Sequence, residues 1–72
     1  MPEIVEITGD FIKLDSFLKF ANAVGSGGMA KILVTDGEVC VNGEICLERG
    51  RKLRNGDTVS VFGKTYEVRN VS

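Results

Sequence analysis

The sequence predicts an α+β fold in which two short helices pack on a small, mainly antiparallel β-sheet. Apolar residues recur at helical spacing between about residues 15 and 36, and the period changes to two after Gly37. Two-residue turn signals separate the alternating segments that follow. A chain of 72 residues has room for one domain, which we expect to span residues 1–72.

The amino-terminal part predicts a strand followed by a helix. Residues 3–7 read E-I-V-E-I, which suits a strand, and residues 8–10 form a turn. Asp15 is a good N-cap residue, and a helix is predicted over residues 15–24. The apolar face predicted for this helix consists of Phe17, Phe20, Ala21 and Val24.

A second helix is predicted over residues 27–36. Gly25 ends the first helix, Ser26 is a second N-cap candidate, and Gly37 suits the position after the helix end. Its predicted inward residues are Met29, Ile32 and Leu33. The short link between the helices predicts a helix-turn-helix-like pair.

Two hairpins follow the helices. Asn42-Gly43 is a strong two-residue turn signal between strands at 38–41 and 44–47. Its register puts Cys40 and Cys46 on opposite faces, so both are predicted to be reduced and unpaired. The second hairpin joins residues 58–62 to 65–69 through a Gly63-Lys64 turn. The register expected there pairs Val61 with Tyr66 and Val59 with Val68.

Composition narrows the possible functions. There is no histidine, two cysteines cannot complete a zinc site, and no nucleophile and base pair appears. We therefore expect a protein that is not an enzyme and holds no cofactor or metal. The start Met1-Pro2-Glu3 resembles no leader peptide, and no apolar run could span a bilayer, which predicts a cytoplasmic protein.

The net charge of −1 hides a polarised chain, although taken alone it argues against a nucleic-acid partner. Residues 36–48 contain acids and no base. The next six residues, 49–54, contain four cations and no acid. A cation cluster attracts polyanions through counterion release, and arginine binds phosphate in a bidentate manner. The alternative, a solvated loop without a partner, stays open at this point.

The link between the two helices is the second candidate feature. Ser26, Gly27 and Gly28 precede Lys31, and a glycine-rich helix start can present backbone N–H groups to phosphate. The spacing does not match a nucleotide-binding P-loop, which needs Gly at position 30. A purely structural link between packed helices remains the alternative.

Three stretches together resemble a known family. They are I-K-L-D-S-F-L-K-F, then S-G-G-M-A-K-I-L-V-T-D-G-E-V-C-V-N-G-E, then G-R-K-L-R-N-G-D-T-V-S-V. They look like the αL RNA-binding domain that is named after small-subunit ribosomal protein S4, over about residues 12–62. The short stand-alone bacterial members (the YaaA and YbcJ type) share the G-G-x-A-K and R-G-R-K-L-R stretches. The resemblance implies binding of structured ribosomal or transfer RNA through the helix pair and nearby basic residues.

The resemblance and the charge pattern together give a candidate site. Lys13 stands where the family usually has arginine before L-D, and Gly27 replaces a frequent arginine after Ser26. The predicted RNA-binding residues are Lys13, Ser26, Gly27, Gly28, Lys31, Arg49, Arg51, Lys52 and Arg54. We expect a monomer that recognises folded RNA by shape and phosphate contacts, with no membrane or small-molecule partner.

Two other functions are compatible with parts of this sequence. A protein–protein adaptor for the translation or RNA-processing machinery is the first alternative. The second is a ubiquitin-like sulfur carrier, since V-C-V-N-G-E-I-C resembles that family too. Such carriers end in Gly-Gly, whereas this sequence ends Arg69-Asn70-Val71-Ser72, which speaks against carrier chemistry.

Overall fold

A computed structural model describes residues 2–71, in which two helices and seven strands confirm the α+β prediction. The helices are α1 (Leu14–Phe20) and α2 (Gly27–Thr35). The strands are β1 (Glu3–Ile7), β2 (Ile12–Lys13), β3 (Cys40–Val41), β4 (Glu44–Ile45), β5 (Lys52–Leu53), β6 (Thr58–Val61) and β7 (Lys64–Asn70). Within the described residues, one sheet has the order β1-β7-β6-β3-β4, and β2 pairs with β5 separately. Among the strand pairs of residues 2–71, β1–β7 is parallel and the others are antiparallel.

The core lies between the helix pair and one face of the larger sheet. Phe17 on α1 meets Tyr66 on β7 edge to face, with ring centroids 6.2 Å apart. Val59 and Val61 of β6 and Val68 of β7 are buried in this core, and Leu53 of β5 joins them with no exposed surface. The fully buried side chains are Leu14, Phe17, Leu18, Ala30, Val34, Val39, Leu53, Val59 and Val68.

The predicted bounds of the first helix were wrong. α1 begins at Leu14, and Asp15 lies in its first turn, where its carboxylate accepts a hydrogen bond from the Ser16 N–H. The helix ends at Phe20, and Asn22 then takes a left-handed φ of 58°. Phe20, the last residue of the helix, is 60% exposed, contrary to the prediction. Leu14, Phe17 and Leu18 form the buried face instead.

The second helix begins as predicted but buries a different face. The Ser26 hydroxyl accepts a hydrogen bond from the Met29 N–H at 3.2 Å, and Gly37 follows the helix with φ 79°. The predicted inward Met29 and Ile32 are 51% and 58% exposed. The helix is rotated by about one residue, since the small Ala30, followed by Val34 one turn later, packs against the core.

The Asn42-Gly43 hairpin has the predicted register. Cys40 lies opposite Ile45, and the Cys46 N–H donates to the Val39 carbonyl at 3.0 Å. Both cysteines are free in the described chain, and Cys46 is buried while Cys40 is half-buried.

The second hairpin turns one residue earlier than predicted, so each residue of β6 pairs with a residue two positions earlier in β7 than expected. Its turn is Phe62-Gly63, with φ values of 53° and 75°, and Val59 pairs with Tyr66. Hydrogen bonds at the far end fix this register, because the Val68 N–H donates to the Asp57 carbonyl at 2.8 Å. A shift of two keeps every side chain on its predicted face, so the buried set is unchanged.

Two expectations concern the chain ends. The leader and carrier-tail interpretations involve Met1 and Ser72, which lie outside the described residues. Across residues 2–71, neither helix has the length and apolarity that crossing a bilayer requires.

Candidate nucleic-acid interface

Residues 49–54, here called the basic segment, are fixed to the start of α1 by backbone hydrogen bonds. The Leu14 N–H donates to the Arg51 carbonyl at 2.9 Å, and the Asp15 N–H donates to the Arg49 carbonyl at 3.0 Å. The first N–H groups of a helix have no partner within the helix. The basic segment supplies these partners, so its backbone is held in one place rather than free in solvent.

A second attachment comes from side chains and strand pairing. Leu53 is fully buried, whereas its neighbours Lys52 and Arg54 are exposed. β5 pairs antiparallel with β2, so Leu53 lies opposite Ile12. The alternation of one buried and two exposed side chains anchors the segment and turns its cations outward.

The same pairing brings two lysines together. Lys13 of β2 lies directly opposite Lys52 of β5, and both are exposed. Like charges at facing positions destabilise a strand pair. A bound anion would remove that repulsion, so the pair favours a phosphate near both ammonium groups.

Phe11 was not among the predicted site residues, but it contacts two of them. The Lys52 ammonium lies 4.9 Å from the centre of the Phe11 ring, and the Arg54 guanidinium carbon lies 6.0 Å from it. The ring is 39% exposed. Cation–π attraction of this kind orients long basic side chains. About forty residues separate the partners in sequence, so only the β2–β5 pairing could have indicated the contact.

None of the cations of this surface is neutralised by a carboxylate in the described chain. The one ion pair found within residues 2–71 joins Arg69 to Glu67 at 3.8 Å. Asp57, the nearest acid in sequence to Arg54, instead accepts a hydrogen bond from the Arg54 backbone N–H at 2.8 Å. Five exposed cations thus have no carboxylate partner within residues 2–71: Lys13, Arg49, Arg51, Lys52 and Arg54.

The start of α2 has glycines that the fold does not require. A Cβ atom added at Gly25 or Gly27 would meet no atom within 4 Å, and one at Gly28 would meet only the Ser26 hydroxyl at 3.9 Å. None of the three has a left-handed φ. In the described chain, no hydrogen bond engages the Gly27 or Gly28 N–H. This weakens the structural-link interpretation and leaves two backbone donors open to a close ligand.

The predicted site thus falls into two groups. The first comprises Lys13 and the basic segment, which meet at the amino end of α1. The second comprises residues 26–28 and the exposed Lys31 on α2, which follows the carboxyl end of α1. Among residues 2–71, no hydrogen bond or ion pair joins the two groups. The structure therefore brings five of the nine predicted residues directly together.

The acids occupy different elements. Asp36 caps the end of α2, and Glu44 lies on β4. Glu38 precedes β3, and Glu48 precedes the basic segment. All four are exposed.

Comparisons with known proteins show the family to which the chain belongs. The S4 domain family matches residues 5–69. The chain is 44% identical over 63 residues to a protein of Bacillus subtilis (strain 168) named "Probable ribosome maturation protein RlbA", covering 88% of this chain and 89% of that protein. The 30S ribosomal protein S4e from Thermoplasma acidophilum has a similar fold, with a TM-score of 0.59 and 18% identity. That match covers 81% of this chain and 30% of the archaeal one. By its family match and its curated relative, the chain belongs to the S4 domain family.

Proposed function

We propose that this protein binds folded ribosomal RNA, in the ribosome or in a precursor particle, and acts by binding rather than by catalysis. Membership of the S4 domain family supports RNA as the ligand class. The name of the Bacillus subtilis relative, a probable ribosome maturation protein, favours ribosomal over transfer RNA. A cytoplasmic location follows from the same proposal, because ribosomes assemble there.

The observation that carries the proposal is the exposed, unneutralised charge of the first group. Lys13 and the four cations of the basic segment are exposed, and no ion pair holds them among residues 2–71. Their backbone is fixed by α1, β2 and the burial of Leu53. A rigid array of cations binds phosphates with less loss of conformational entropy than a mobile loop would.

We infer that recognition depends on RNA shape. Lysine and arginine contacts to phosphates position a partner but do not distinguish bases. The start of α2 and Lys31 would bind a second stretch of backbone, so two phosphate tracks at a fixed separation select folded RNA over a flexible strand. The exposed acids at positions 36–48 would repel RNA on the neighbouring surface and limit the possible orientations.

Salt dependence of binding to a folded ribosomal RNA fragment tests the mechanism. If about four phosphates are neutralised, the logarithm of the binding constant should fall against that of salt with a slope of about −3. A slope near zero would contradict phosphate binding by the basic segment.

A second experiment tests the identity of the RNA. Purified ribosomal subunits, precursor particles, transfer RNA and an unfolded RNA of equal length are compared at one salt concentration. We expect the ribosomal particles to bind most tightly and the unfolded RNA least tightly. Equal affinity for all four would contradict recognition of shape, and tightest binding of transfer RNA would contradict the ribosomal target.

A further inference from the structure

β4 lies at the edge of the larger sheet in the described chain and is open to a further strand. The sheet order ends in β3-β4, so β4 has β3 on one side. An exposed strand edge offers unpaired N–H and C=O groups to another chain. Because the Asn42-Gly43 turn makes Val41 and Glu44 the hydrogen-bonded pair, the backbone groups of Ile45 point away from β3.

Exposed apolar side chains accompany this open backbone. Ile45 and Leu47 are 64% and 61% exposed, while Cys46 between them is buried. This alternation has the period of an extended chain. A Cβ atom placed on Gly37 would lie 3.8 Å from both the Ile45 and the Leu47 side chains. The two side chains therefore lie side by side above Gly37 and form one apolar patch.

Acids flank the residues of this patch in the sequence. Residues 36–48 carry four acids and no base. All four are exposed, and none is paired with a cation within residues 2–71: Asp36, Glu38, Glu44 and Glu48. A ligand of this edge should therefore combine cations with apolar side chains.

We propose that the β4 edge, residues 44–48, binds an extended, lysine- and arginine-rich protein segment by strand addition. Backbone hydrogen bonds to Ile45 would supply a common attachment, and alternate apolar side chains would cover Ile45 and Leu47. The acids would pair with the flanking cations. RNA does not fit because phosphates would be repelled. A second copy of this chain does not fit either, because its own acids would face Glu44 and Glu48. This interaction goes beyond RNA binding and does not depend on it.

Short synthetic peptides test the proposal on the intact protein. One peptide alternates lysine with valine, and its matched control alternates glutamate with valine. Calorimetry measures affinity, and amide NMR spectra locate the contact. We expect saturable binding of the basic peptide with shifts confined to residues 37–48, and at least about tenfold weaker binding of the acidic one.

Two variants separate the backbone from the side chains. Ile45→Pro removes an N–H group that β3 does not use, so it should weaken the basic peptide about tenfold without unfolding the sheet. Ile45→Thr with Leu47→Thr keeps the N–H groups and removes the apolar patch, and serves if the proline variant does not fold. Ile32→Thr is the control, since Ile32 is 58% exposed on α2 and should leave affinity unchanged.

Each remaining outcome decides against the proposal. Absence of saturable binding, equal affinity for the two peptides, or shifts centred on other residues would overturn it. Self-association that protects the Ile45 amide in hydrogen exchange would show that the edge binds a second copy instead. Folded RNA added to the peptide complex should bind without displacing the peptide, and displacement would show that the two ligands share one surface.

Discussion

Two neighbouring regions of this protein have opposite charge and similar construction. The acidic region, residues 36–48, carries four acids, and the basic segment, residues 49–54, carries four cations. Each is anchored by buried apolar residues that alternate with exposed ones, Val39 and Val41 in the first and Leu53 in the second. The two regions therefore differ mainly in the charge of their exposed side chains.

The net charge of −1 is a poor guide to where the charges of this protein lie. Opposite charges that are adjacent in sequence would neutralise one another if they formed ion pairs. Within residues 2–71, however, the recorded ion pair is between Arg69 and Glu67, outside both regions. The backbone holds each region on its own support: α1 and β2 support the basic segment, and β6 supports the acidic region by pairing with β3. A protein with a net charge of −1 can therefore present two separate surfaces of opposite charge.

Reversing charge in the basic segment should have the largest effect on RNA binding. Arg51→Glu combined with Lys52→Glu replaces two phosphate contacts by two repulsions. We expect affinity for folded ribosomal RNA to fall by on the order of 100-fold, and the salt slope to lose about 2 units. Filter binding across a salt series measures both.

The matched control reverses two charges in the acidic region. Glu38→Lys combined with Glu44→Lys raises the net charge but adds no cation to the basic segment. A change of less than about fivefold in RNA affinity is expected, because salt screens exposed charges that make no direct phosphate contact. Equal and opposite effects of the two double variants would show that overall charge, not its position, determines binding.

Asn42 joins the acidic region to Asp57 and Thr58 at the start of β6, so its removal should cost the most stability. Its side-chain oxygen accepts from the Thr58 N–H at 2.9 Å, its amide donates to Asp57 at 3.2 Å, and its φ is 53°. Asn42→Ala loses the side-chain hydrogen bonds and puts alanine, which tolerates a left-handed φ less well than asparagine, at this position, so the free energy of unfolding should fall by about 2–3 kcal/mol. Urea denaturation measures the change.

Asn42→Gly separates the two contributions. Glycine adopts the same φ without strain, so this variant should lose only the hydrogen bonds, about 1 kcal/mol. Equal losses in the two variants would mean that the left-handed backbone is not strained. RNA affinity of the folded fraction should be unchanged in both, since Asn42 is outside the basic segment.

The sequence predicted several parts of the fold that depend on local signals, although the Asp15 cap and the Gly25 end of the first helix were wrong. The Ser26 cap, the Gly37 helix end and the Asn42-Gly43 register were all correct, because each depends on residues within a few positions. The face of α2 and the last hairpin register were wrong, because distant packing fixes them. Ala30 is buried because a small residue lets the helix approach the core, and Val68 sets the register through Asp57.

The candidate site shows the same division. The four cations of the basic segment can be read from the sequence, but the contacts with α1 and β2 that hold the segment in place cannot. Pairing of Lys13 with Lys52 and the position of Phe11 beside Arg54 depend on the two-residue strands β2 and β5. Strands that short give no period that a sequence could reveal.

Alanine at the start of α2 should affect stability and binding in opposite directions. Gly27→Ala with Gly28→Ala has open space for both methyl groups. The protein should be stabilised by about 0.5 kcal/mol per substitution, since the unfolded chain loses freedom. RNA affinity should fall a few-fold if phosphate approaches these N–H groups. Thermal unfolding and filter binding measure the two effects on the same sample.

Gly37→Ala provides the control for this pair. Its φ of 79° strains any residue with a side chain, so it should destabilise the protein by about 1 kcal/mol and leave RNA affinity unchanged. If RNA affinity is unchanged in the Gly27→Ala and Gly28→Ala variant, residues 27 and 28 do not contact RNA, and the interface is limited to Lys13 and the basic segment.

Phe11→Leu should have the smallest effect on RNA affinity. It tests whether the ring orients the cations of the basic segment, a contact that the acidic region is not known to have. The ring lies 4.9 Å from the Lys52 ammonium and 6.0 Å from the Arg54 guanidinium carbon, so leucine keeps apolar bulk but removes the cation–π attraction. The two side chains should become more mobile, and RNA affinity should fall about two- to fivefold, equivalent to about 0.5–1 kcal/mol. The salt slope should stay the same, because no charge is lost.

A smaller salt slope for Phe11→Leu would mean that the ring holds a cation in place and that one phosphate contact is lost without it. Wild-type affinity would mean that the basic segment is oriented by its backbone alone. Phe11→Tyr, which keeps an aromatic face, should bind like wild type and separates loss of the ring from loss of packing.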